Sequence, residues 1–385
     1  MRSSGTSTGI LPAALAIAVV ALFSALLLYI HGQRELVALV VVGGIVLWAA
    51  VRSGAVRRIE AAFTVHERAL NGVMIAGFLC VIVALRGQDF PLLILATVML
   101  YGTVCLGLTI QLGYCGVMNF AGAAFFGTGC YTAAVLSAHT GMPHVLVLLA
   151  AGAMGALMGS LLLLPMLRTS GHYAALVTIA FGILFRSFLE VNDTLGGPQG
   201  LTLPGMEIFG WSLNEGLTIG TTTLSFYFNY ALLALALLLV AFAVTRRLER
   251  SWIGTSLDAV RIDEIAAAAF GLNVPRIKIV AFMIGNAFAG IAGGIFAMMS
   301  GFIAPTEFDF GTSLVMIAII MLGGIGNVWG VLPAAALVLI LPEKLQFIQE
   351  YRFLLYATAV VLILMFLPGG LFPRRLRRAF FAGGG

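Results

Sequence analysis

RRLERSWIGTSLDAVRIDEIAAAAFGLNVPRIKIVAFMIGNAFAGIAGGIFA, residues 246–297, is the stretch on which the reading of this chain turns. Its first part is crowded with charge: Arg246, Arg247, Glu249, Arg250, Asp258, Arg261, Asp263, Glu264, Arg276 and Lys278. Long apolar runs lie on either side. A charged, helix-forming island in such surroundings needs a reason. The Ala, Glu and Arg content between Asp258 and Gly271 favours a helix. Gly271 or Asn273 is a plausible stop, with Pro275 following. Asp258 with Ile262, and Arg261 with Ile265, are four apart, so each pair would share a face of one continuous helix. Such a helix is charged at its start and smooth with alanines at its end. It suits a shallow cleft in a partner, and it equally suits a solvated loop.

Composition sets the class around it. The chain has 385 residues, 61% hydrophobic and 10% charged, against roughly 25% charge in soluble domains. Residues 90–167 hold no Asp, Glu, Lys or Arg, enough for several spans of about 20 residues each. The expected fold is an all-α, polytopic helical membrane protein with about 10–12 membrane segments, some of them short, Gly-broken or re-entrant. Apolar runs place spans near 11–30, 36–51, 70–85, 91–112, 118–138, 144–167, 173–189, 224–245 and 277–300. A Gly-broken pair follows within 310–342, then a last span near 353–371. The start could pass for a signal peptide, but its apolar run is long and no clear cleavage site follows, so it reads as an uncleaved first span.

The net charge of +5 reports cytoplasmic loops here and not a nucleic-acid partner. Basic residues cluster in 52–68, in the opening block and in the tail at Arg374, Arg375, Arg377 and Arg378, whereas Glu190, Asp193, Glu207 and Glu215 mark an acidic loop without a base. The positive-inside rule puts the basic groups and both termini in the cytoplasm and the acidic loop outside. The four cysteines read as small buried residues. His139 and His144 flank a short outer loop at a spacing that suits interfacial histidines better than a metal site. The chain has no GxxxxGK[ST] and no HExxH. No catalytic residue, metal site or cofactor is expected. Spans nearly free of ionisable groups weaken an ion-coupled carrier.

Glycine carries more information. LGYCGVMNFAGAAFFGTGCY, residues 112–131, is an apolar stretch interrupted by Gly113, Gly116, Gly122, Gly127 and Asn119. This weakens a continuous helix, and a broken helix at depth is one way to build a substrate path; tight packing is the other reading. GGIGN, with Gly323, Gly324 and Gly326, breaks the 310–342 run into two short helices or a re-entrant hairpin. Irregular backbone at that depth needs cover from protein or a watery cavity.

These residues resemble a known family. Ala259-Val-Arg261-Ile-Asp263-Glu264-Ile-Ala-Ala267, then Gly271-Leu-Asn273-Val, Lys278 and Ala281-Phe282, are similar to the EAA loop of ABC importer permeases in the form A-I-R-E-D-E-I-A-A-E-A-M-G-I-N-V. That form is typical of the branched-chain amino acid permease family. Residues 112–134 resemble its LGYAGQLSLGHAAFFGIGAYTAA. Residues 185–201 resemble its TGGPNGL outer loop, and 316–345 its GGIGSLWGPVLGA…LPE region. The likeness runs from about 90 to 370 and is to the M-type permease subunit.

The resemblance implies a bacterial inner-membrane permease domain over 91–371 with a coupling loop at 246–278. Residues 1–90 lie outside it and read from their apolar runs as an N-terminal extension of about three membrane spans, and 372–385 reads from its charge as a basic cytoplasmic tail. It implies cytoplasmic ABC ATPase subunits, a second related permease and an extracytoplasmic substrate-binding protein as partners, with membrane lipid around them. Arg261, Asp263, Glu264, Ala267 and Gly271 would couple to the ATPase. The cargo would be leucine, isoleucine or valine. The family's Ser and His are replaced here by Asn119 and Gly122, so urea, short amides or other amino acids stay open, and a stand-alone secondary carrier is the remaining class.

Overall fold

The computed structural model describes residues 67–344 apart from 168–172, 209, 217 and 220–221, together with isolated positions within 18–43 and 351–374. The spans expected near 11–30, 36–51 and 353–371 therefore lie, apart from those isolated positions, outside the described residues, as does most of the N-terminal extension. Described in chain order are α1 (Glu67–Ala84), α2 (Asp89–Leu108), α3 (Gly122–His139), α4 (His144–Met166), α5 (Tyr173–Val191) and α6 (Phe226–Glu249). Then come α7 (Trp252–Ile262), α8 (Glu264–Ala269), α9 (Val274–Ser300), α10 (Phe310–Gly323) and α11 (Val328–Lys344). The protein is an all-α, multi-pass membrane protein. Among the described residues, five helices, α2 with its extension and α4, α5, α6 and α9, are long and apolar enough to cross a membrane.

The span expected at 118–138 starts later. Helix α2 does not stop at Leu108 but widens into a π-helical turn, Thr109–Tyr114, and residues 115–121 are irregular before α3 begins at Gly122. The Gly-broken pair at 310–342 takes the form of two short helices. Helices α10 and α11 have 14 and 17 residues, each shorter than the roughly 20 a full crossing needs. They pack on one another where a side chain on Gly330 would sit 1.9 Å from the Gly323 carbonyl.

Helix α9 is central and packs against α4, α3 and α2. Glycine makes that possible: a Cβ on Gly129 of α3 would lie 2.0 Å from the Gly290 carbonyl of α9. Lipid supplies no hydrophobic drive between helices, so close backbone approach is what holds them. Helix α5 is the opposite case, with few of its residues buried and Leu176, Ile183, Leu184 and Phe188 exposed.

In the loop expected at 190–223, the described residues form short 3-10 turns and strands. Strand β1 (Leu201–Thr202) precedes the hairpins β2 (Glu207–Ile208) with β3 (Trp211–Ser212) and β4 (Thr218–Ile219) with β5 (Thr222–Thr223). Strand β6 (Phe302–Ile303), just past α9, pairs antiparallel with β1, placing Leu201 opposite Ile303. The loop is thereby stapled to the end of the central helix.

Candidate functional site

The charged block does not form the single helix its composition predicts. Ser251 caps α7, its hydroxyl oxygen accepting from the Gly254 N–H at 3.3 Å. The chain then breaks at Asp263, which is extended (φ −156°, ψ 108°). Its carboxylate accepts from the N–H groups of Ile265 and Ala266 at 2.9 and 3.0 Å and so starts α8. An aspartate competes for backbone donors, and a cap of this kind contributes about 1 kcal/mol. Asp258 and Ile262 remain on one helix; Arg261 and Ile265 do not. Gly271 (φ +84°) turns the chain out of α8, and the Asn273 side chain accepts from the Arg276 N–H at 3.2 Å to open α9.

The break leaves a bare apolar surface beside the charges. Ile262, Ile265 and Phe270 are 71%, 84% and 89% exposed. Glu264 is paired with Lys278 at 2.6 Å, which fixes α8 against the start of α9. Ala267 is buried, and a Cβ on Gly271 would meet nothing within 4 Å, so that glycine serves the turn.

Beneath this surface, separate parts of the chain converge. Arg261 donates to the Gly113 carbonyl at the end of the π turn. Gly116 is left-handed (φ +76°) and lies against the Arg261 side chain, where a Cβ would come within 3.0 Å. Gly326 (φ +85°) rests on the Gly113 backbone, 2.5 Å from the place of a Gly113 Cβ. Arg374 closes the cluster. It donates to both carboxylate oxygens of Asp258 at 2.6 and 2.9 Å. It also lies 3.7 Å from Glu249 and 4.2 Å above the Tyr114 ring. The Asn327 amide donates to the Phe372 carbonyl at 3.0 Å, tying the GGIGN turn to the same tail.

A second polar group sits deeper. Asn119 donates to Gln111 at 2.7 Å, and Gln111 donates to Asn286 of α9 at 3.0 Å. The Asn119 oxygen accepts from the Ala121 N–H at 2.9 Å. All three amides are buried. Gln111 lies in the π turn, a distortion that widens the helix and re-aims its side chains.

Of the residues singled out in the sequence, Arg261, Gly113, Gly116 and Gly326 meet at one junction. Gly122 packs on Met316 and Leu108, Gly127 on Phe308 and Phe185, and Gly323 on the backbone of Gly330. Gly324 sits beneath Gly370, where a Cβ would lie 2.5 Å from its Cα. Gln111, Asn286, Tyr114 and Arg374 escaped sequence reasoning. The first two were visible only as polar letters in apolar runs. Arg374 looked like one of several tail arginines. His144 is held by the Glu207 N–H at 3.2 Å and His139 by the Val135 carbonyl at 3.1 Å. Among the described residues, no group of three His, Cys, Asp or Glu could hold a metal ion.

Comparison with known proteins gives a consistent picture. Residues 90–368 match the family described as branched-chain amino acid transport system / permease component. The high-affinity branched-chain amino acid transport system permease protein LivM of Salmonella typhimurium is 36% identical over 293 residues, covering 71% of this chain and 68% of that protein. LivM of Escherichia coli K12 matches to the same extent. The permease protein LivH of Salmonella typhimurium is 24% identical over 291 residues, covering 71% of this chain and 91% of its own length. No solved structure matches the chain at a significant level.

Proposed function

Because this chain belongs to the family of branched-chain amino acid transport permease components, we propose that it is a membrane permease subunit of an ATP-driven importer of leucine, isoleucine, valine or related amino acids. It is a transport component and not an enzyme. In this reading it works with cytoplasmic ATPase subunits, a second related permease and an extracytoplasmic binding protein. Both termini face the cytoplasm. The transport unit is 91–371, 1–90 is an extension before it, and 372–385 is the basic tail.

The observation that carries the reading is the bare apolar trio Ile262, Ile265 and Phe270, set among charges on a strut anchored to the membrane core by Arg261 and Gly113. Large exposed apolar side chains grouped in a charged loop are a mark of a protein-interaction site. Arg261, Asp263, Glu264, Ala267 and Gly271 form or support that docking element. A push on α7 and α8 reaches the π turn and the GGIGN turn through the Gly113 carbonyl. The segments holding Gly113, Gly116, Asn119, Gly122, Gly127, Gly323, Gly324 and Gly326 are the parts of the substrate path that such a push rearranges.

The test is uptake of labelled leucine and labelled urea by cells lacking only this chain. Leucine uptake should fall and urea uptake should not. The Glu264→Lys variant, which sets a second cation against Lys278, should abolish transport and weaken ATPase co-purification while leaving membrane insertion intact. Uptake that survives loss of the ATPase and follows a proton or sodium gradient would rule the reading out.

A further inference from the structure

The last turn of helix α6 carries Arg246 and Arg247, and Arg250 follows as its C-cap. The three guanidinium-bearing residues line one end of a cavity of about 550 Å³ between α6 and α1. The rest of its wall is apolar, with Met74 and Ile75 from α1 and Leu239 and Ala243 from α6. Arg247, Arg250 and Ala243 are exposed. Arg246 is bonded to Glu249 at 2.5 Å and lies 5.6 Å above the Trp329 ring. Phe242 meets that ring edge-on, with centroids 4.8 Å apart. The basic end of the cavity is therefore backed by a fixed aromatic and ionic frame, while its other end is greasy.

We infer that this cavity is a binding site for an anionic phospholipid, with the phosphate between Arg247 and Arg250 and the first acyl carbons against Met74, Ile75, Leu239 and Ala243. The segregation of charge and grease matches an amphiphile with an anionic head and matches neither a free phosphate nor a wholly apolar ligand. The cavity lies at the end of a membrane helix, where phospholipid headgroups sit. Guanidinium groups hold phosphate oxygens in a planar fork, and each carries enough donors to serve a lipid and a protein partner together. The site adjoins the coupling block, because Glu249, which pairs with Arg246, also faces Arg374. A lipid bound there would hold the α6 end of that block in place.

The experiment uses the full chain, with the subunits that assemble with it, reconstituted in vesicles of equal parts phosphatidylcholine and phosphatidylglycerol. It is then extracted in mild detergent, and retained lipid is counted by native mass spectrometry. Wild type should retain phosphatidylglycerol in preference to phosphatidylcholine. The Arg247→Gln/Arg250→Gln pair should bind phosphatidylglycerol about 25-fold more weakly, at about fivefold per basic residue. Ala243→Trp, which fills the apolar end and keeps every charge, should also expel it. Arg276→Gln, outside the cavity, should retain it. Equal retention of the two lipids by wild type would overturn the inference, as would undiminished phosphatidylglycerol in both cavity variants. So would a wild type without lipid, which would mean that protein fills the space.

Discussion

Arg374 grips both carboxylate oxygens of Asp258, at 2.6 and 2.9 Å, across 116 positions of chain. The pair joins the tail to α7, and the Arg374 side chain is 9% exposed. Charge-assisted bidentate contacts are the stronger kind. Arg374→Gln should lower stability by about 1–3 kcal/mol. Asp258→Asn in the same background should add little further, because the two share one interaction. Thermal unfolding of the purified single and double variants checks this, and strict additivity would refute it.

Arg261 reaches the Gly113 carbonyl from a different helix. Arg261→Gln should leave the Ile262, Ile265 and Phe270 surface unaltered and cut the strut beneath it. The expected result is normal ATPase co-purification with transport sharply reduced and ATP hydrolysis no longer matched to uptake. Normal uptake by the variant would show that the push travels elsewhere.

Phe270 is 89% exposed and Ile265 84%, so removing them costs the isolated chain little. Phe270→Ala should weaken ATPase association roughly tenfold, about 1.4 kcal/mol, as for a buried aromatic anchor at an interface. The unfolding midpoint of the permease itself should not move. Pull-down at graded ATPase concentration measures the first quantity.

Asn119 supplies the donor to Gln111 at 2.7 Å. Asn119→Leu leaves that oxygen unpaired at about 1–3 kcal/mol. It should alter amino-acid uptake while ATPase co-purification stays unchanged. If uptake is indifferent to the change, the Gly-rich segment is packing and not path.

Gly129 and Gly290 let α3 and α9 touch by backbone. A Cβ on Gly129 would fall 2.0 Å from the Gly290 oxygen and 2.6 Å from its Cα, and no flexible side chain can yield there. Gly129→Ala should cost roughly 3 kcal/mol or more. Lower yield of folded protein and a lower unfolding temperature are the readouts. Gly271→Ala is the contrasting case, because nothing crowds its Cβ and only the left-handed backbone resists.

Hydrophobic content and the spacing of charge determined the class of this protein and the bounds of most helices, because each crossing must satisfy its backbone internally and must be about as long as the membrane is thick. Residues 70–85, 144–167, 173–189 and 277–300 correspond closely to α1, α4, α5 and α9. The glycine break at 323–327 and the charged block were legible for the same local reasons. Three things were not. Asp263 interrupts its helix because a side-chain oxygen captures two backbone donors, a local competition that composition alone does not resolve. The π turn at Thr109–Tyr114 departs from the α-helical period that apolar patterning assumes, and the Gln111 it carries meets Asn286 across 175 positions. Arg374 became distinct from its neighbours in the tail only when folding set it beside Asp258, Glu249, Tyr114 and Gly113. Burial and periodicity are properties of a stretch and can be read from one. A contact between distant positions depends on how helices pack, and here glycine-to-backbone approaches decided that packing.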